Sequence, residues 1–197
     1  MKIIIISGTP GTGKTTVSKR ISEILGAAII SLNEITVSKK FILEYDKNRE
    51  TYVVDFERLW PYILNQIEEL NKINTTLLII EGHFSDFVPD ELIDMAVILR
   101  CDPDILYKRL ELRGYKPAKI LENIQAEILG NCVNYMIQKK IRTPILEIDT
   151  SYLNVDDLAQ LIIELISNRK NLEDYIIGKI DWLEKLSVND RLNQFFD

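Results

Sequence analysis

The 197-residue sequence has one histidine, two cysteines, three methionines and eight glycines. Each scarcity excludes something. A single histidine cannot build a multi-histidine metal site. Cys101 and Cys132 form no C-x-x-C pair and have no histidine at metal-ligand spacing. A disulfide is possible on the count alone, and two free thiols are the expected state. No apolar run approaches the ~20 residues of a membrane helix, so no membrane association is expected. The apolar start in "MKIIIISGTPG" is shorter than a secretory core and leads into a glycine loop instead of a cleavage site. A cytoplasmic protein is therefore expected. Internal repeats and low-complexity linkers are absent. An excess of cations is also missing: the net charge is −6. That speaks against nucleic acid held by a broad cationic surface. No direct sequence-specific nucleic-acid binding is expected, while a basic protein partner stays open.

What is present is an ordinary globular balance, 46% hydrophobic and 27% charged. Apolar segments at Lys2–Ser7, Ala27–Ser31, Thr76–Glu81, Met95–Arg100 and "TPILEID" read as strands. Between them the spacing predicts helices from about Gly13 to Leu25, from an Asp55 cap through Leu70, and from Asp102-Pro103 to about Arg113. A further helix is expected from Pro117 to about Lys140, and another over "NVDDLAQLIIELIS". Asn33–Tyr45 reads as a helix or mobile segment and "DKNRETY" as a loop. Strands apolar on both faces, alternating with helices, predict an α/β fold with a parallel sheet covered on both sides. Residues 1–168 are expected to form one domain, and residues 169–197, where the pattern weakens, an appendage packed on it.

Directly after the first strand stands "GTPGTGKTT", residues 8–16. Gly8, four residues, then Gly13-Lys14-Thr15 matches the G-x-x-x-x-G-K-[ST] phosphate loop. Glycines let the backbone curl its N–H groups inward, and the following helix adds its positive end. Lys14 is expected on the β- and γ-phosphates of ATP, Thr15 on Mg2+, and Thr16 on a further phosphate. The guanine-reading Asn-Lys-x-Asp is not found, since "NKIN" at Asn71–Asn74 lacks the Asp. A motor or long AAA-type ATPase needs more chain than this. A small P-loop protein with about five strands most resembles a nucleoside monophosphate kinase.

Two further constellations carry chemistry. Arg109 and Arg113 are four residues apart on one predicted helix that ends at Gly114. Arginines just before a glycine-marked lid can close over a transferring phosphoryl group. In "IIEGHFSDF", Glu81 ends the third apolar strand, where P-loop enzymes place the carboxylate that holds Mg2+ or its water. His83 lies two residues on, at the carboxyl edge where ligands bind. Both are candidate catalytic residues.

"GTPGTGKTT", "EGHFSDFVPDELIDMAVILR", "LYKRLELRGY" and "KILENIQAEI" together resemble the small adenylate kinases that also serve as ribosome-maturation ATPases, the CINAP family of archaea and eukaryotes. The resemblance covers roughly residues 3–150. It implies a doubly wound five-stranded P-loop NTPase sheet with a nucleoside monophosphate kinase-like flap at about 33–55 and a short lid at about 112–122. Gly11, Gly13, Lys14, Thr15 and Thr16 would hold the ATP phosphates. Arg113 and Arg109 would be lid arginines, and Arg113 would also touch the nucleotide. Glu81 and His83 would match the family's acidic-x-His motif, supported by Asn123 and Glu127. AMP would be the acceptor, and a basic small-subunit ribosomal protein a partner. The closing "KIDWLEKL" resembles the tails of archaeal members. This chain departs from the pattern twice. Glu81 stands where many eukaryotic members have Asp. Val37 stands where they have the Arg that clamps the AMP phosphate, leaving Lys39 or Lys40 as substitutes and shifting the expected balance toward ATP hydrolysis. Three readings remain open: an adenylate kinase with ATPase activity, a nucleotide-switched assembly factor, and a kinase for another nucleoside monophosphate.

Overall fold

In the computed structural model the described residues are 1–47, 49 and 51–196. Asn48 and Glu50 of the expected flap and Asp197 of the tail lie outside them. Five parallel strands form the main sheet: β1 (Lys2–Gly8), β2 (Ala28–Ser31), β5 (Leu77–Glu81), β6 (Met95–Arg100) and β7 (Ile145–Asp149). Their order is β2-β5-β1-β6-β7. The crossovers are helical, as parallel neighbours require.

The alternating side chains of β1 explain the two-faced core. Ile4 and Ile6 point to one face and pack with Val17 and Ile21 of α1 (Lys14–Leu25) and Leu158 and Ile162 of α7 (Val155–Ile166). Ile3 and Ile5 point to the other, against Leu59, Ile63 and Ile67 of α3 (Phe56–Lys72) and Val133 and Met136 of α6 (Asn131–Gln138). Each such side chain contributes ~1.5–3 kcal/mol by leaving water. The helix signals act as the sequence suggests. Asp55 accepts a hydrogen bond from the Arg58 N–H at the start of α3. Asp102 caps α4 (Pro103–Leu112) through the Asp104 N–H, with Pro103 at the first helical position.

Two expectations are corrected. The segment after β2 is not one helix or mobile stretch. It is a short helix, α2 (Leu32–Ser38), followed by an antiparallel hairpin of β3 (Ile42–Asp46) and β4 (Thr51–Val54). Its β-branched and aromatic residues favour strand, and Tyr45 packs on Tyr52 across it at 5.1 Å. Of the expected loop "DKNRETY", Asp46 ends β3 and Thr51 and Tyr52 open β4. The long helix from Pro117 is two helices, α5 (Pro117–Ile128) and α6, separated at Gly130, whose φ of 64° breaks the helical path.

Residues 169–196 run along the main body. Ile176 bridges Leu146 of β7. Trp182 and Leu186 of α8 (Trp182–Val188) and Phe195 of α9 (Asn193–Phe196) join a third apolar cluster with Leu106 and Leu110 of α4 and Ile120, Ile124 and Ile128 of α5. Cys101 and Cys132 are free thiols. Among the described residues no helix is long and apolar enough to cross a membrane.

Candidate active site

The sheet aims its carboxyl edge at one region, and β1 delivers the phosphate loop there. Gly8 has φ of 138°, and a Cβ there would stand 2.3 Å from the Leu99 carbonyl oxygen of β6. Gly11, at φ of 97°, leaves space that a Cβ would contest with Leu106 Cδ1 at 2.7 Å. Only glycine meets both demands, so the loop lies tight against β6 and α4. Gly13 caps α1, the one helix whose N-terminus opens on this loop. Lys14 Nζ curls back and donates to the carbonyls of Gly8 at 2.7 Å and Thr9 at 3.1 Å. Burial pushes its pKa below the ordinary lysine value, while Glu81 and Glu127 oppose that shift.

Glu81 ends β5 beside both β1 and β2, with Ile6 and Ser31 in register. Its Oε1 accepts hydrogen bonds from Thr15 Oγ1 at 3.1 Å and Ser31 Oγ at 2.5 Å. Thr15 and Glu81, the two expected metal residues, are thus brought together. Ser31 is a third oxygen at the same point that sequence reasoning did not single out. No group of three or more His, Cys, Asp or Glu side chains suited to a metal occurs among the described residues. One hydroxyl and one carboxylate beside a phosphate loop fit Mg2+, which takes most of its ligands from phosphate and water. Thr16 is exposed on the first turn of α1, open to a phosphate contact.

Next to the loop lies a cleft of about 760 Å³. Thr9 and Pro10 of the phosphate loop line one side; Asn33, Val37, the hairpin, α5 and α6 line others. Arg113, Lys119 and Arg49 bring positive charge to it. His83 opens onto the cleft, its ring edge-on to Phe84 at 4.9 Å. Phe84 in turn packs on Phe56 and Phe87, which fixes the turn after β5 against α3. The cleft walls crowd His83 even though water reaches it. This desolvation, with the Lys14 and Lys119 ammonium groups, lowers its pKa to about 4.

The two arginines expected to share a role are separated. Arg113 ends α4 and faces the cleft. Arg109 donates to Thr150 Oγ1 at 3.2 Å and to the carbonyls of Thr150 and Ser151 at 2.7 and 3.2 Å. Thr150 Oγ1 then donates to the Thr12 carbonyl of the phosphate loop at 3.1 Å. Arg109 thus braces the loop from behind. Neither Lys39 nor Lys40 lines the cleft. Lys39 lies over the Tyr62 ring at 6.0 Å, and Lys40 occupies a left-handed turn at φ of 55°. The cation that faces the cleft from the flap is Arg49. Its Nε and Nη2 grip one oxygen of Glu122 at 3.0 and 2.7 Å.

Beneath the loop is a buried charge network. Arg100 Nε donates to Glu127 Oε1 at 2.8 Å, and Arg100 Nη1 pairs with Glu147. All three side chains are at most 4% exposed. Glu127 also accepts from Thr9 Oγ1 of the phosphate loop at 2.5 Å. Asn123, the other supporting residue expected from α5, lines the cleft, and its side-chain amide donates to the Lys119 carbonyl at 2.7 Å. Arg100 and Glu147 went unread in the sequence. Their signal was there: a charged residue inside "MAVILR" and another inside "ILEID", both strands otherwise built for burial.

These features define a P-loop NTPase fold, and comparisons with known proteins agree. The shikimate kinase of Acinetobacter baumannii superposes with a TM-score of 0.57 at 21% identity, over 86% of this chain and 95% of that one. A deoxyadenosine kinase from M. mycoides superposes at 0.52 and 18% identity, over 84% and 99%. The family described as an AAA domain, AAA_18, matches residues 4–130, from β1 through the α5–α6 junction. A Methanocaldococcus jannaschii protein named "Putative adenylate kinase" is 41% identical over 92% of this chain and 93% of its own length. One of the same name from Saccharolobus solfataricus is 32% identical over 99% and 92%. The chain belongs to this family of archaeal adenylate kinase-like proteins.

Proposed function

We propose that the protein is an adenylate kinase that moves the γ-phosphoryl group of ATP to AMP and slowly hydrolyses ATP when no acceptor is present. The observation that carries this reading is the meeting of a phosphate loop with a cation-lined cleft at one sheet edge. The name shared by the relatives supports it. On the donor side, Gly11, Gly13, Lys14, Thr15 and Thr16 hold the ATP phosphates, with Lys14 swinging from its loop carbonyls onto them. Arg113 closes over the transferred group. Thr15 and Glu81 would hold Mg2+, which would supply positive charge to the phosphates. Arg109 contributes by holding Thr150, and through it Thr12. Catalysis is positioning and charge stabilisation, with no covalent intermediate.

On the acceptor side Val37 offers no charge, and Arg49 supplies the fork instead. A phosphate dianion competes well with a single carboxylate for a guanidinium, so Arg49 transfers from Glu122 to the acceptor. AMP should accelerate ATP consumption more than CMP, UMP or GMP, and Arg49→Ala should raise the acceptor KM about tenfold while sparing acceptor-free hydrolysis. Equal rates with all four monophosphates would overturn AMP as the acceptor, and a faster rate with another would reassign it.

With its pKa lowered, His83 is neutral at pH 7, so it can accept a proton or hydrogen bond from the attacking water in hydrolysis, or from the AMP phosphate when that is singly protonated. The expected loss on His83→Ala is about a hundredfold in turnover with ADP affinity unchanged. Because its pKa is lowered from 6.5 to about 4, the wild-type pH–rate profile should lack a histidine inflection near 6.5. The same shift makes stability depend on pH. Between those values the unfolded chain binds more protons, so this contribution is complete above pH 6.5 and is lost as pH falls through 4. An inflection near 6.5 that disappears in His83→Ala would refute the neutral-histidine role.

The sequence resemblance adds a place of action, small ribosomal subunit maturation, through a nucleotide-sensitive grip on a basic ribosomal protein. The net charge of −6 favours such a partner electrostatically. Equal affinity for that partner with ADP and with ATP would remove the switch.

A further inference from the structure

The strongest unexplained feature is how residues 169–196 are fastened. Their anchors do not end on the surface. They converge on the phosphate loop by two routes.

The polar route runs through one carboxylate. Trp182 Nε1 donates to Glu127 Oε1 at 3.1 Å. The Cys101 N–H donates to the same oxygen at 3.1 Å, beside the Arg100 contact. The other oxygen of Glu127 is the acceptor for Thr9 Oγ1. Trp182, Glu127 and Thr9 are all buried, so competition from solvent is small, and each bond fixes the next. Gly178 N–H donates to Glu147 Oε2 at 2.7 Å, which ties the segment to the second arm of the Arg100 network.

The apolar route runs through α4. Trp182, Leu186 and Phe195 share a cluster with Leu106 and Leu110, the side chains that abut Gly11. Two salt bridges hold the segment to the start of that helix: Lys185 to Asp102 at 2.8 Å and Arg191 to Asp104 at 2.7 Å.

We infer that the C-terminal segment is a working part of the nucleotide site, with Trp182 a positioning residue that holds Glu127 and thereby Thr9 of the phosphate loop. This rests on the phosphate-loop reading above. The physical reason is a shared residue. Lys14 donates to the carbonyls of Gly8 and Thr9, while the Thr9 hydroxyl donates to Glu127. When a bound phosphate draws Lys14 away, the Thr9 carbonyl keeps Thr12 and the Thr9 side chain keeps Glu127. The geometry of that carboxylate, set by Trp182, decides how well the loop keeps its N–H groups aimed at phosphate. The coupling is reciprocal by linkage: a segment that tightens nucleotide binding is itself tightened by nucleotide.

The chain has two tryptophans. Trp60 lies on α3 against Phe87, away from the loop, so Trp60→Phe leaves Trp182 as the only indole. In that variant, saturating ADP should shift Trp182 emission, with a midpoint equal to the Kd from calorimetry. Trp182→Phe keeps an aromatic side chain in the cluster but loses the pyrrole half of the indole with its N–H donor; ADP binding should weaken roughly fivefold, with kcat at saturating ATP nearly unchanged. Thr9→Val should weaken ADP similarly, and the double variant should lose no more than either alone, because both break one chain. Additive losses, or unmoved Trp182 emission at calorimetric saturation, would overturn the coupling while leaving the nucleotide site standing. No heat from ADP with the wild type would overturn both.

Discussion

Lys14→Ala is expected to lower phosphoryl transfer from ATP by about three orders of magnitude without unfolding the protein. The side chain is buried, and its ammonium is satisfied by two loop carbonyls. It is the one amine that the phosphate loop itself supplies, and the proposed mechanism puts it where charge would develop on the transferring group. Loss of a preorganised donor at such a point raises the barrier far more than it weakens ground-state binding. Stability should move little. Burial already works against the charged amine, so removing it relieves a cost that offsets the lost hydrogen bonds. Initial rates with ATP and AMP, together with a thermal melt, check both halves. A variant keeping a tenth of wild-type turnover would show that Lys14 is structural.

Arg100→Leu should be the most destabilising single change in the charge network. The arginine pairs with both Glu127 and Glu147, and it also donates to the Glu127 carbonyl at 2.9 Å. Its replacement strands two buried carboxylates. Breaking a buried pair this way costs ~3–5 kcal/mol, because the charge left behind is uncompensated. For a chain of this size that is a Tm drop on the order of 10 °C. Replacing Arg100, Glu127 and Glu147 together by apolar residues should recover much of the loss, since the desolvation cost disappears with the charges. That triple variant should still bind ADP poorly, because Thr9 has lost its acceptor. Equal melting temperatures for wild type and Arg100→Leu would mean that the network carries little stability.

How much was legible in the sequence follows from the range of each interaction. The phosphate loop was readable because its demands are local: Gly8, Gly13 and Lys14 act within nine residues, and the strand and helix around them have their own periodicity. The Asp102-Pro103 helix start was readable for the same reason. The flap hairpin escaped because β3 and β4 are short and half-exposed, so their alternation is weak. The break at Gly130 was signalled by the glycine, but the helical periodicity on both sides overrode it. Contacts between distant residues could not be read at all. Arg109 finds Thr150 and Arg100 finds Glu147 only after the sheet has brought β6 beside β7. Nor did the pattern distinguish Arg49 from any other exposed arginine, because its pairing with Glu122 joins the flap to α5. Local chemistry thus marked the phosphate loop, and tertiary contacts shape the cleft beside it.

The central claim is that a phosphoryl group crosses from the phosphate loop into the cleft. The most direct test is the fate of label from ATP carrying 32P in its γ-phosphate, incubated with Mg2+ and unlabelled AMP. The account predicts that label appears in ADP as its β-phosphate, at the rate at which ATP disappears. Label released only as inorganic phosphate, at a rate indifferent to AMP, would contradict it.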